Sequence, residues 1–441
     1  MRIAFFLALL AAGAARADGG FPRPDVKTWQ LENGLQIIYL GAHRAPVVSV
    51  QMWYHVGSKD EPKNLRGSAH MFEHIMFKGS SKVPPDRHAQ MIESIGGTTN
   101  AFTSEDTTFY VDNVPKQYLD FTVQLEAERM RGLVFLRKTI DGERDVMKEE
   151  RRQRVDGSPL LKAMEKLRAA AFSRHPYAWH PLGFVDDFDK VTIEDLRRFY
   201  DAYYQPNNAA LVVVGDVGED EVRTAAKQWL GAIPRGKEPP RPAAALAEAR
   251  QEKARRETGD PGQIGLLFAG FHAPATRSDD IPALRVAEAI LGAGDASRLY
   301  VRTVRKDQVA VAAGAQLLAF EDPGLFLVFG AFGAPDQAAK LESAIVDEVG
   351  RLAREPVGDA ELARAKNQIL AGLVFRLEGV DGLAAELGRS LMLRGNPTAW
   401  LDDYDKIVRV TAADVQRVAA ATFAPENMTL LTVPPATGGE K

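Results

Sequence analysis

The sequence predicts an α+β protein made of two tandem homologous domains, each a sheet covered by helices. Three observations carry that prediction. The chain has 441 residues, more than one ordinary hydrophobic core accommodates. Its 45% apolar and 26% charged residues are the balance of a folded globular protein. Most tellingly, one helix–turn–strand signature occurs twice. "VTIEDLRRFYDAYYQPNNAALVVV" (191–214) aligns without a gap on "VTAADVQRVAAATFAPENMTLLTV" (410–433), with Val191/Val410, Thr192/Thr411, Asp195/Asp414, Arg198/Arg417, Pro206/Pro425, Asn208/Asn427 and Leu211/Leu430 identical. Duplication of one α/β unit explains this better than chance.

The elements follow in chain order. "MRIAFFLALLAAGAARA" (1–17) has an early Arg2, a short apolar stretch and a small-x-small site at Ala15-Arg16-Ala17, which reads as a signal peptide. An exported chain, periplasmic or extracellular, is expected to begin near Asp18. Later segments lack ~18 uninterrupted apolar residues, so no membrane span is expected. With no cysteine, neither a disulfide nor a thiolate ligand is available. The net charge of −4 gives no pull toward nucleic acid. "PVVSVQMWYHV" (46–56) and "TTFYVDNV" (107–114) are strand-like runs between segments of helical period. Thr192 and Thr411 are N-caps, each with an Asp three residues on to close a capping box. "PRGKEPPRPAA" (234–244) is rich in Pro and charge, which suits a linker. The expected division is a domain over 18–235, a linker over 236–244 and a second domain over 245–441.

The chemistry concentrates in "GSAHMFEHIMFKGS" (67–80). His70, Glu73 and His74 fall at i, i+3 and i+4, one face of a helix. Two imidazoles one turn apart suit convergence on a metal, with Glu73 beside them to take a proton from a water activated there. The order His-x-x-Glu-His is the inverse of the commoner zinc helix. On these residues alone, a helix with exposed or hydrogen-bonded histidines accounts for the pattern equally well. A second segment, "GERDVMKEERRQRVDG" (142–157), places Glu143, Val146, Met147 and Glu150 on one stripe. If Val146 and Met147 face inward, so do both carboxylates, and these need a cationic partner. Glu149 is the competing ligand candidate, about 100° round the helix; a solvated Glu/Arg surface helix is the competing account of the whole segment. His55, His88 and His175 fit no metal pattern and are expected to be surface or locally satisfied.

Together these segments resemble the pitrilysin family of inverted-motif zinc peptidases, which includes insulin-degrading enzyme and mitochondrial processing peptidase, and in particular its short two-domain branch. "GSAHMFEHIMFKGS" is similar to the family's zinc helix, "ERDVMKEE" to the helix that follows it, and "GGTTNAFTSEDTTFY" (96–110) to the segment shaping the cleft. The resemblance implies two related domains closing like a clamshell on a peptide. It implies one zinc per chain held by His70, His74 and Glu150, with Glu143 standing behind them and Glu73 as general base of peptide-bond hydrolysis. It also implies a substrate strand added along an edge near Asn100, Ala101 and Thr103; the plainer role for Asn100 is to serve the preceding Gly-Gly turn.

The second copy retains a helix near 359–372 but not the ligands: Glu150 falls on Gln368, and His70, Glu73 and His74 on Glu288, Leu291 and Gly292. That domain is expected to bind or enclose substrate. Family enzymes that act alone carry there an Arg and, seven residues on, a Tyr. "ASRLYVRTVRKDQVAVAAG" offers Arg305, but the Tyr position falls near Val311 and the spacing is one residue short. The resemblance therefore implies a dimer, in which a zinc-less homologous chain supplies the Arg/Tyr pair; a homodimer is the rival. A non-catalytic peptide-binding or scaffold subunit is the alternative function, and a metal-storage module a third.

Overall fold

The computed structural model describes residues 23–242, 246–248 and 251–436. The expected signal peptide and the end of the expected linker lie outside the described residues. Two sheets organise the chain. The first holds β1 (Lys27–Gln30), β2 (Gln36–Gly41), β3 (Val47–Tyr54), β4 (Thr98–Thr103), β5 (Thr108–Pro115) and β6 (Ala209–Gly215), in the order β1-β2-β6-β3-β5-β4. The second holds β7 (Arg255–Thr258), β8 (Gly265–Ala273), β9 (Ala312–Leu318), β10 (Gly324–Phe332) and β11 (Met428–Val433), in the order β7-β11-β8-β10-β9. Apart from β1 the orders match position for position. In each sheet one pair is parallel, β2 with β6 and β7 with β11, and the others are antiparallel.

The helices needed below are α1 (Ser68–Ile75), α2 (Leu119–Arg131), α3 (Arg137–Arg151), α4 (Pro159–Ala171), α5 (Ile193–Tyr203), α6 (Ile281–Gly292), α7 (Asp359–Arg376), α8 (Val380–Arg394) and α9 (Ala412–Thr422). The repeat is visible in their caps. Thr192 accepts the Asp195 N–H and Asp195 accepts the Thr192 N–H, and Thr411 and Asp414 do the same at the head of α9. Pro206 and Pro425 then each open a 3₁₀ turn that leads into β6 and β11.

Each sheet is covered on both faces, so its strands carry apolar residues at successive positions. Ile37, Val50, Met52 and Leu211 face one core of the first half; Ile38, Trp53, Ala210 and Val212 face the other way. The cover on that second face comes from the other half: Ala384, Leu387 and Leu391 of α8. Gly388 makes this contact possible, because a Cβ there would lie 2.3 Å from Trp53 Nε1. Reciprocally, Ala163, Leu167 and Ala171 of α4, in the first half, cover Leu266, Phe268, Leu325 and Leu431 of the second sheet. The halves thus exchange helices across their junction. Residues 236–241 run along the first half, where the Gly236 N–H bonds Asn207 and Arg241 donates to the His55 carbonyl and to Asn208. No helix among the described residues is long and apolar enough to cross a membrane.

Candidate active site

Helix α1 is fixed at three points. Gly67 precedes it at φ 92°, a conformation open to glycine, and a Cβ there would meet Phe188 at 2.5 Å. The buried Glu61 carboxylate accepts the N–H groups of Gly67 and Ala69, both at 2.8 Å, so an acid sits at the positive end of the helix. Burial pushes the Glu61 carboxyl up to about 8, against the pull of those two amides. Midway, Tyr110 donates its hydroxyl to the Phe72 carbonyl at 2.9 Å. Ala69, Met71, Phe72 and Ile75 face the core, which turns His70, Glu73 and His74 toward α3.

The structure brings His70, His74 and Glu150 together. His70 Nε2 lies 3.5 Å and His74 Nε2 3.3 Å from the same oxygen, Glu150 Oε2. The two imidazole rings meet edge to face, 4.7 Å apart. All three donor atoms lie within 4.8 Å of one another. On its far side, His74 Nδ1 lies 3.2 Å from Glu143 Oε2, which orients the ring with Nε2 turned toward Glu150. His70 is buried, and its Nδ1 has no hydrogen-bond partner among the described residues. Burial holds the His70 imidazole down to about 3, hence neutral, with the neighbouring His74 pushing the same way. Burial also works against the charged form of His74, but its hydrogen bonds to Glu143 and Glu150 outweigh it and raise the ring to about 9. Both carboxylates answer by shifting down. At Glu143 burial is outweighed by His74 and Lys78; at Glu150 the His74 hydrogen bond leads.

Glu73 is half-buried on the same face. Burial raises its carboxyl above the ordinary carboxylate value, and the Thr103 hydroxyl and His74 pull it back. A group displaced this way is poised to hold or pass a proton.

Helix α3 is amphipathic, but its inward arc differs from the expected stripe. Ile140, Glu143 and Met147 are buried and Glu150 is half-buried, whereas Val146 is 49% exposed. Val146 lies at the border of the arc and does not share the burial of Met147. Glu149 points outward to Arg152 and Gln153, so it does not compete with Glu150.

Asn100, Ala101 and Thr103 lie on β4, an outer strand of the first sheet that pairs with β5 alone. Ala101 is buried and Thr103 half-buried; Asn100 is exposed, and its Oδ1 accepts the Ala101 N–H at 2.9 Å. Arg305 is not brought to the cluster. It is exposed on the turn Tyr300–Lys306, 3.8 Å from Asp295 and over the Tyr300 ring. Val311 is 60% exposed. His55 bonds Glu321; His175 accepts the Tyr177 N–H at Nδ1, while its buried Nε2 faces Asp322 at 3.3 Å with no hydrogen-bond partner among the described residues. His88 forms a second acidic group with Asp112 and Glu126, but the Arg129 guanidinium stands among them, bonded to all three, and already supplies the cation.

In the second half α6 stands to α7 as α1 stands to α3, without the donors. Gln368 reaches the Ala293 carbonyl, Glu288 pairs with Arg285, and Arg298 binds Glu361 in a two-pronged pair at 2.9 and 2.7 Å. Beside them is a cleft of about 690 Å³ whose lining includes Glu288, Gln368, Arg376 and Arg394, closed on one side by residues 104–107 of the first half. Sequence reasoning missed Glu61, Lys78 and Arg154. Glu61 acts from a loop with no periodic signal. The other two carried a signal in their spacing, each four residues beyond His74 or Glu150.

Two like α+β halves, the first carrying a His–His–Glu donor set and an inverted His-x-x-Glu-His helix, are what the described residues present. The chain belongs to peptidase family M16, the insulinase or pitrilysin family. The profile described as insulinase (peptidase family M16) matches residues 36–183, and that described as the peptidase M16 inactive domain matches residues 190–369. The chain is 31% identical to zinc protease PqqE of Helicobacter pylori over 433 residues, 97% of this chain and 96% of that protein. It is 28% identical to a probable mitochondrial-processing peptidase subunit beta of Arabidopsis thaliana, over 90% of this chain and 76% of that one. Among solved structures, a protease from Helicobacter pylori superposes with a TM-score of 0.88 at 29% identity, covering 94% of this chain and all of that one. Such relatives support a peptidase role and a zinc dependence in the family.

Proposed function

We propose that the chain is an exported zinc metalloendopeptidase acting on peptides or unfolded segments, with one zinc held by His70, His74 and Glu150 in a catalytic domain over 18–235. The observation that carries this reading is the convergence of two imidazole nitrogens and one carboxylate oxygen, with Glu73 on the same helix face. Three protein donors of this chemistry suit zinc and leave a position for water. A zinc ion bound there supplies a Lewis acid that polarises a peptide carbonyl and makes a water more acidic. The residues do the rest. Glu143 holds His74 in the tautomer whose Nε2 faces the site. Glu73, its proton affinity raised by burial, takes the proton from the attacking water and returns it to the leaving amine. The free edge of β4 hydrogen-bonds an added substrate strand near Asn100, Ala101 and Thr103. The second domain, over 245–441 beyond the linker 236–244, encloses substrate without cutting it.

Export rests on the leader-like residues 1–17. A dimer, with a zinc-less homologous chain supplying an Arg/Tyr pair, rests on Val311 near the expected Tyr and on Arg305 standing apart from the cluster. The same two residues favour a second reading, a peptide-binding subunit that does not cut. Metal analysis with a quenched-peptide assay separates the two, with and without a candidate partner chain. Catalysis predicts one zinc per chain in both wild type and Glu73→Gln, with cleavage lost by a factor of roughly 10²–10⁴ in the variant. Equal cleavage by both, or none by wild type even with the partner, contradicts it.

A further inference from the structure

Each of the two carboxylates around the imidazoles has one oxygen turned inward and one turned outward, and each outward oxygen is taken by a cation. Glu150 Oε2 faces His70 and His74, while its Oε1 lies 2.9 Å from Arg154. Glu143 Oε2 faces His74 Nδ1, while its Oε1 lies 2.9 Å from Lys78. The geometry is built from the helices themselves. Lys78 stands four residues after His74, just past the end of α1. Arg154 stands four residues after Glu150, on the π-type turn Arg152–Asp156 that continues α3. Lys78 is anchored a second time, 2.9 Å from Asp86, whose own backbone is in the left-handed region at φ 60°. Asp86, Lys78, Glu143 and His74 therefore form one continuous chain of contacts from a surface loop to an imidazole.

We propose that Arg154 and Lys78 are positioning residues that fix each carboxylate in a one-oxygen role: Arg154 makes Glu150 a single-oxygen donor, and Lys78 keeps Glu143 locked on His74 Nδ1. Neither cation touches the reacting atoms. The argument rests on direction. A carboxylate free at both oxygens can rotate and offer either or both to a cation, whereas one pinned at Oε1 presents only Oε2. Arg154 is exposed, and an ion pair made by a solvent-facing arginine contributes little to folding, so its effect belongs to the site and not to the stability of the chain. Groups that orient metal ligands typically change metal affinity by about 10–100-fold.

This inference rests on the reading that His70, His74 and Glu150 hold the metal, and the test separates the two. Full-length wild type, Arg154→Met, Lys78→Met, Arg154→Lys, Lys78→Arg and Glu150→Gln are compared by zinc competition with a chelator and by the visible spectrum of the cobalt(II)-substituted protein. Thermal melts in chelator serve as the folding control. Arg154→Met is expected to melt as wild type and Lys78→Met somewhat lower, since Glu143 is buried and loses one of its cations; both are expected to bind zinc roughly 10–100-fold more weakly. The cobalt spectrum of Arg154→Met is expected to lose intensity as a second Glu150 oxygen enters the coordination, and Arg154→Lys and Lys78→Arg to restore much of the affinity. If Glu150→Gln abolishes tight zinc binding while either methionine variant matches wild type in both affinity and spectrum, the positioning roles are overturned and the metal assignment stands. If Glu150→Gln binds zinc as wild type does, the metal assignment falls and this inference with it.

Discussion

Glu61 is nine residues ahead of His70 in sequence, yet in space it holds the end of the helix that carries it. Its carboxyl is buried and raised from an ordinary 4.5 to about 8, which gives a pH signature with a definite sign. Between those values the folded chain binds a proton that the unfolded chain has released, so this group's stabilising contribution is complete below about pH 4.5 and gone above about pH 8. Glu61→Gln is expected to flatten that slope, so that wild type loses stability relative to the variant between about pH 5 and about pH 9; denaturant melts at the two pH values check it, and parallel curves would contradict it. At this scale the sequence was partly legible. Spacing put His70, Glu73 and His74 on one helix face and Glu143 and Glu150 on one stripe, because helical periodicity governs both; the choice of Glu150 as third donor came with the family resemblance. Val146 was misread because its angular position places it at the edge of the buried arc of α3, where the presence of a neighbour decides burial. Asn100 was legible only as a residue of an edge, since its role depends on what pairs with that edge.

At the scale of elements, the duplication makes a quantitative claim. Thr192 and Thr411 cap α5 and α9 with the same two reciprocal bonds, so Thr192→Ala and Thr411→Ala are each expected to cost about 1 kcal/mol, measured by denaturant unfolding. A large cost at one and none at the other would mean that the two copies have ceased to be physically equivalent. The strands of this repeat and the runs 46–56 and 107–114 were readable because β-branched and aromatic residues cluster there, and they appear as β3, β5, β6 and β11. The exchange of α4 and α8 was not readable. Both helices have ordinary amphipathic sequences, and nothing in an apolar stripe names the sheet it will cover. Gly388 held the one local hint, a glycine inside a helix, but its reason is the indole of Trp53, more than three hundred residues earlier in the chain.

For the whole molecule, the junction between the halves is a charged network as well as an exchange of helices. Lys59, almost fully buried, lies 2.9 Å from Asp106 in its own half and 2.7 and 3.4 Å from Glu321 and Asp322 in the other. His55 joins at Glu321, and Tyr177 donates to Asp106 at 2.6 Å. Lys59→Met leaves those carboxylates without their shared cation and is expected to cost about 3–5 kcal/mol, read as a lower melting temperature with the two halves still unfolding together; an unchanged melt would show that water already screens the network. The donor set hangs from this frame, through α1 against β4 and β5 and α3 against α1. The most direct test of the account is crystallographic: zinc-loaded protein, with anomalous data collected on both sides of the zinc edge. The account predicts one peak per chain, in contact with His70, His74 and Glu150 at about 2.0–2.2 Å. A peak at His88, Asp112 and Glu126 instead, or none where the two imidazoles meet Glu150, would contradict it.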